Sequence, residues 1–447
     1  MTTSSPTQPA GPPPALRTTY HPRPRRGWLN DPNGVVRHRG RWHVFFQHNP
    51  WQARHGDIHW GHLSSPDLVG WTEHPVAFGP TPQGPDRFGA WSGVAVPGTE
   101  PVVMVYSGIA DEVSNANVCL REALDEQLLT WSEPVVVAET PSGLGIAEMR
   151  DPFVFDWAGR RLALLGAGLT DGSAALLLFS CDELTAWRYE SVWLTDRDPV
   201  VSTLDRAQVW ECPQLLELDG SWLLLLSLVS DGAANGVRYV VGSMSADQDG
   251  LPRFSARAHG PADAGSQCYA PQAVPDPDGP LSFGWVMQPN APRDEPGDAV
   301  AGCLTLPRRL GLDGDRLTTR VDPAVAAALS AARREVVDLA TGPATLPAAC
   351  RVVVRPAAAP DAGSGGDAGS GGGSSSGSLA LMLRCGDTAV PLVVGSDGVQ
   401  IWVDGDVVEV YGGVPLTVRS AQHGDWSLHG DRQVLLETAL VEPAFPA

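Results

Sequence analysis

The sequence predicts an all-β chain, a β-propeller followed by a smaller C-terminal β-sandwich, and three observations carry that prediction. From about Trp42 to Leu310, short runs rich in Val, Leu, Phe and Trp alternate with Gly, Asp, Pro or Asn turns, which is the rhythm of hairpins rather than of helices. So many short strands exceed what one sandwich holds, whereas a propeller of four-stranded blades accommodates them. Composition then changes along the chain: of 15 tryptophans, 13 precede residue 290 and only Trp402 and Trp426 follow it.

Taken in order, residues 1–17 (MTTSSPTQPAGPPPALR) are Pro-, Ser- and Thr-rich and read as a disordered arm. They show neither a basic n-region nor an apolar h-region, so a cytoplasmic protein is expected. Residues 18–320 form the propeller, with strands such as Trp42 to Gln47, Val102 to Ser107, Phe153 to Phe155, Arg161 to Gly166, Ala174 to Ser180 and Trp222 to Leu228. Leu218-Asp219-Gly220-Ser221 and Asp156-Trp157-Ala158-Gly159 read as hairpin turns. Asp322-Pro323 before AVAAALSAARREVV reads as an N-cap, a Pro at N1 and a short helix, making 321–340 a helical connector. Residues 341–447 supply the sandwich strands, among them Cys350 to Val354, Gln400 to Val403 and Val434 to Leu440. Within them, 361–378 (DAGSGGDAGSGGGSSSGS) has nothing to pack and reads as a flexible loop.

Charge excludes two classes of partner. All 31 basic residues are Arg, against 51 acidic ones, for a net charge of −20. Such a chain gains nothing from counterion release on nucleic acid and is repelled by an anionic membrane surface. No apolar run approaches the roughly 20 residues that span a bilayer. The seven cysteines are never closer than 31 residues, which suits reduced, buried thiols rather than a disulfide framework or a CxxC metal site.

Three segments set a carboxylate beside turn-forming or aromatic residues: Trp28-Leu29-Asn30-Asp31-Pro32-Asn33-Gly34, Glu148-Met149-Arg150-Asp151-Pro152 and Trp210-Glu211-Cys212-Pro213. Singly, Asp-Pro and Asn-Gly are ordinary turn chemistry. Together, on inner strands converging on a propeller channel, they can face one another. Two carboxyl groups about 5 to 5.5 Å apart are what a retaining glycosidase needs, one as nucleophile and one as acid then base.

These residues carry a resemblance. Tyr20-His21 followed by Gly27-Trp28-Leu29-Asn30-Asp31-Pro32-Asn33-Gly34 resembles the signature of glycoside hydrolase family 32, the invertase and fructanase family. Trp42 to Pro50, Trp60-Gly61-His62, Ser65 to Trp71, Trp91-Ser92-Gly93, Arg150-Asp151-Pro152, Glu211-Cys212-Pro213 and Tyr269-Ala270-Pro271-Gln272 resemble its further blocks, in order, over about residues 18 to 310. Val407 to Tyr411 resembles a strand of the family's sandwich. The resemblance implies a five-bladed propeller and a set of roles: Asp31 the nucleophile, Glu211 the general acid/base, Asp151 a stabiliser holding fructosyl hydroxyls. Arg150, Asn30, Gln47, Ser92 and Tyr269 would line the same subsite, with Trp60 and Trp91 as stacking faces. Asp31 must react ionised, which hydrogen bonds favour, and Glu211 must carry a proton, which Trp210 and Cys212 would promote as apolar neighbours. Arg150 has the alternative role of an ion-pair partner for Asp151.

The family pattern is broken in two places. Leu29 replaces a common Met at little cost. Gln267-Cys268 stand where an Asp-Phe pair is common, altering the charge on that side of the pocket. The His55-Gly56-Asp57-Ile58-His59-Trp60-Gly61-His62 segment is read as structural, because its glycines oppose the helix that would align His55 with His59 into a metal site. No metal or organic cofactor is expected. The expected activity is a retaining β-fructofuranosidase acting on a small sugar, sucrose first. A fructosyltransferase, a sucrose-6-phosphate hydrolase with Arg23, Arg25, Arg26 or Arg54 at the rim, and a non-catalytic carbohydrate-binding propeller are the alternatives.

Overall fold

Two turns read from the sequence close as tight hairpins: Leu218 pairs with Ser221 across Asp219-Gly220, and Trp157 with Arg160 across Ala158-Gly159. All four turn residues have φ between 50° and 77°, the left-handed backbone that matches a two-residue turn to the twist of its strands. The computed structural model describes residues 20–111, 116–288, 290, 299–357, 378–422 and 424–441. The N-terminal arm 1–17 and, apart from Ser378, the Gly/Ser stretch 361–378 lie outside the described residues.

Among the described residues, hairpins of this kind build five sheets in chain order, blades I to V of a propeller, blades II to IV of four strands and blades I and V of four with one short extra strand each. Their innermost strands are Gly27–His38, Gly89–Ala95, Ile146–Trp157, Val209–Leu218 and Cys268–Val274, and these lie side by side around a central channel. Strands sandwiched between neighbouring blades are buried on both faces, as in Ala174–Ser180, so their sequences run apolar without alternation. Each fully buried Leu there contributes about 1.5–3 kcal/mol. The ring closes where Val300–Ala301 pairs in parallel with Gly27–Trp28 of blade I. One end of the channel opens on the segments named above. The other is an apolar cavity of about 270 Å³ lined by Val35, Val94, Phe153, Leu215 and Ala273, from all of the inner strands.

The sandwich packs a six-stranded sheet on a four-stranded one. Its start corrects the expected connector. Asp322 caps the helix as read, its side chain accepting from the Ala324 N–H at 2.8 Å, but the helix is only Pro323–Ala327. Arg333–Asp338, expected to be helical, is instead an edge strand paired antiparallel with Gln433–Leu440. Pairing with the last strand of the sheet overrides a local helix preference that little burial supports. The sandwich therefore begins at Arg333 rather than at 341.

Buried charges join the two domains. His21 reaches Asp404 and Glu409, each at 2.8 Å. Arg308 of blade V reaches Glu409 at 2.5 Å, Thr417 at 2.6 Å and Asp263 at 2.9 Å. Burial works against the His21 charge, yet Asp404 and Glu409 raise its pKa to about 9. Burial likewise opposes the Glu409 charge, and Arg308 and His21 hold it down at about 2. Cys268 and Gln267, expected beside the pocket, turn to this interface: Cys268 Sγ lies 3.7 Å from Arg308 and Gln267 accepts from the Arg419 N–H. All seven cysteines are free and buried.

Candidate active site

Every inner strand carries a β-bulge at or before its middle, two residues facing one on the second strand. The pairs are Asn30-Asp31 against Gln47, Trp91-Ser92 against Ser107, Asp151-Pro152 against Leu165, Cys212-Pro213 against Leu226 and Ala270-Pro271 against Gly284. A bulge breaks the alternation of side chains, so neighbouring residues both turn into the channel. Proline, which has no N–H for the ladder, occupies or follows four of the five, as bulges allow. Asp151, Cys212 and Ala270 have φ of 59°, 46° and 45°, a strained conformation that costs about 1–3 kcal/mol each. Hydrogen bonds hold them there. The Asp151 N–H donates to Ser107 Oγ at 2.7 Å, the Cys212 N–H to Asp151 Oδ2 at 3.0 Å and the Ala270 N–H to Ser227 Oγ at 3.1 Å.

The bulges bring the expected carboxylates together. Asp31 accepts from Ser92 at 2.6 Å, from Gln47 at 3.1 Å and from Asn30 at 3.2 Å. Trp28 Nε1 orients Asn30 by donating to its Oδ1 at 2.8 Å. The Cys212 thiol lies 3.7 Å from Asp31 and 3.5 Å from Asp151, joining the two across the channel. Glu211, beside Cys212 in sequence, accepts from Arg150 Nε at 2.8 Å and from the Tyr269 hydroxyl at 2.7 Å.

Electrostatics differ from the expectation in two respects. Burial pushes the Asp31 carboxyl up to about 6, Glu211 adds to the rise, and the Ser92, Asn30 and Cys212 hydrogen bonds recover only part of it. Burial, then Glu211, likewise raises Asp151, with Arg150 opposing. The surroundings of Glu211 are not apolar. Trp210 points the other way into the core, 1% exposed, while the carboxylate meets a cation and a phenol. Arg150 accordingly bridges Glu211 and Glu148 rather than serving as a hydrogen-bond partner of Asp151. Its own burial works against the charge, which Glu211, Asp151 and Glu148 more than restore.

Asn30, Gln47, Ser92, Arg150 and Tyr269 thus lie around the carboxylates, each hydrogen-bonded to Asp31 or Glu211. Trp91 is partly exposed at the mouth, with the His55 ring edge-on at 5.7 Å. Trp60 is a correction: it is 0% exposed, stacked on Phe78 at 4.8 Å in the core of blades I and II, and offers a sugar no face. The nearby imidazoles separate, His59 against Trp51 and His62 stacked on Phe45 beside His43. Ser107 and Glu148 were missed as site residues. Ser107 acts on the next blade, so nothing local marks it, whereas Glu148 was signalled by its place on the face of Arg150.

The match to a family model settles the affiliation: residues 21–321 fit the glycosyl hydrolases family 32 N-terminal domain. The chain belongs to glycoside hydrolase family 32. Within the family it is 32% identical over 317 residues to the sucrose-6-phosphate hydrolase of Bacillus subtilis (strain 168), covering 67% of this chain and 64% of that protein. It is 30% identical to the raffinose invertase of Escherichia coli, over 67% of this chain and 63% of that one. The matched stretch thus spans less than two thirds of either relative's length. A Bombyx mori GH32 beta-fructofuranosidase superposes over 97% of this chain and 95% of its own, with TM-score 0.77 and 23% identity, and a mutant of it was solved with sucrose. The family likeness in structure therefore extends through propeller and sandwich alike.

Proposed function

We propose that the protein is a retaining β-fructofuranosidase that releases terminal fructose from sucrose. The observation that carries the reading is the convergence of Asp31, Asp151 and Glu211 on one channel end, with Cys212 touching the first two and Arg150 and Tyr269 holding the third. In this mechanism Glu211 gives its proton to the glycosidic oxygen as Asp31 attacks C2 of the fructosyl unit, and the aglycone leaves as an alcohol. The resulting fructosyl ester at Asp31 is then hydrolysed by water from which Glu211 takes back a proton. Asp151, behind the ring, binds hydroxyls and fixes its orientation.

A sugar 6-phosphate is the second reading, favoured by the B. subtilis relative being a sucrose-6-phosphate hydrolase. A neutral substrate stands first because the mouth is rich in carboxylates and Arg150 is shared between two of them. Of the candidate rim cations, Arg25 pairs with Glu73 at 3.5 Å. Arg54 lies in the loop whose Ala53 and His55 pack against Trp28 and Trp91. The test is fructose released from sucrose, sucrose 6-phosphate, raffinose, inulin and levan. Sucrose is expected to give the highest kcat/KM, with glucose and fructose in equal amounts. Preference for the phosphate ester by tenfold or more favours the second reading, and oligosaccharide products indicate transfer instead of hydrolysis. Glu211→Gln should lose about 10² to 10⁴ in rate.

A further inference from the structure

Glu148, Arg150 and Glu211 form a line across the mouth of the channel. Arg150 donates through Nε to Glu211 at 2.8 Å and through Nη1 to Glu148. Side-chain exposure is 20% at Glu211, 11% at Arg150 between the two glutamates and 42% at Glu148, so Glu148 is the solvent-side partner. The strand explains the geometry. Glu148 and Arg150 are two apart on Ile146–Trp157, before the bulge, and so share a face.

The arrangement bears on the acid step. A guanidinium within hydrogen-bond distance favours the ionised form of a carboxylic acid, the wrong form for a group that must donate a proton to a leaving oxygen. A second carboxylate on the same guanidinium changes that balance. With both glutamates ionised the trio carries a net charge of −1, and one proton makes it neutral.

We propose that Glu148 is a positioning residue for the acid step: it holds Arg150 across the mouth and offsets its charge, so that Glu211 keeps the proton the departing oxygen takes. The inference rests on the fructosidase reading above and adds to it a residue that acts only through Arg150.

The test is the pH profile of kcat/KM for fructose release by the full chain as wild type, Glu148→Gln and Glu148→Asp. Glutamine keeps an acceptor for Arg150 and removes the charge, so the alkaline limb should move to lower pH by about 0.5 to 1 pH unit, the size expected of one partly exposed charge close by. The acid limb, belonging to Asp31, should stay. Aspartate restores the charge and should bring the alkaline limb back. A purely structural Glu148 would lower kcat or raise KM at every pH and leave the limb in place, which overturns the proposal, as does a limb displaced equally in both variants. Should Glu148→Gln melt below the assay temperature, added salt on the wild type replaces it. Salt screens the exposed Glu148 more than the buried pair and should lower the limb; a limb indifferent to salt overturns the proposal. Fructose release with an unmoved limb defeats this proposal alone, while a wild type that releases no fructose from any substrate defeats the fructosidase reading and the proposal with it.

Discussion

Asp31 receives hydrogen bonds from Ser92, Gln47 and Asn30, all of which favour its anion, and burial still outweighs them. Burial pushes its carboxyl from the usual 3.8 up to about 6, so kcat/KM for fructose release should fall below about pH 6 as Asp31, the nucleophile of the proposed mechanism, protonates. Ser92→Ala removes a donor to the anion and should carry that acid limb to higher pH; a limb that stays or drops contradicts the assignment. The same shift has a stability consequence of definite sign. A pKa raised on folding stabilises below the unfolded value, near 4, and that contribution is lost as pH rises through about 6. Asp31→Asn, while abolishing turnover, should therefore be more stable than wild type at pH 7 by up to about 3 kcal/mol. Thermal melts should converge as the pH approaches 4. The three carboxylates could be singled out because the residues around them resemble the family's blocks, met in the family's order along the chain. Trp60 was misassigned because a tryptophan looks alike in sequence whether its face meets a sugar or Phe78.

At the scale of the strand, the repeated bulge is what makes a channel of β-structure chemically useful, because it places consecutive side chains on one side. It also frees backbone groups, which side-chain amides answer from other blades. Gln272 accepts from the Val35 N–H at 2.7 Å and donates to the Gly93 carbonyl at 2.8 Å, tying blade V to blades I and II. Gln214 accepts from the Ala273 N–H at 3.0 Å, tying blade IV to V. Gln272→Leu strands both of its partners in the interior and should cost about 2 to 6 kcal/mol, summing two unsatisfied groups, read from urea unfolding. Replacement by glutamate instead of leucine should restore the Val35 bond but not the Gly93 one. The prolines were visible in the sequence as punctuation, and their meaning was not. Asp31-Pro32-Asn33-Gly34 looks like a turn, yet it lies within the strand Gly27–His38, because a bulge and a turn call for the same residues. The strand Arg333–Asp338 was hidden for a different reason: its partner is about 100 positions away, Gln433–Leu440, and local periodicity carries no trace of it.

For the molecule as a whole, stability across pH turns on the buried charges between propeller and sandwich. His21, raised to about 9 from its usual 6.5, contributes stability that is complete below about 6.5 and is lost as pH rises through 9. Wild type should lose up to about 3 kcal/mol over that window, and His21→Gln should flatten it; an unchanged slope in the variant removes His21 as the cause. Both domains were foreseen from composition and strand rhythm, but the junction was not, since Tyr20-His21, Arg308 and Glu409 meet only in three dimensions. The same junction borders the place where the propeller shuts. Among the described residues, Val300–Ala301 pairs with blade I at Gly27 and Trp28 alone, and that strand continues directly into Asp31. A seam so short, braced by a neighbouring domain, makes the sandwich a keystone: loosening it should disturb the alignment of Asp31 before any blade comes apart.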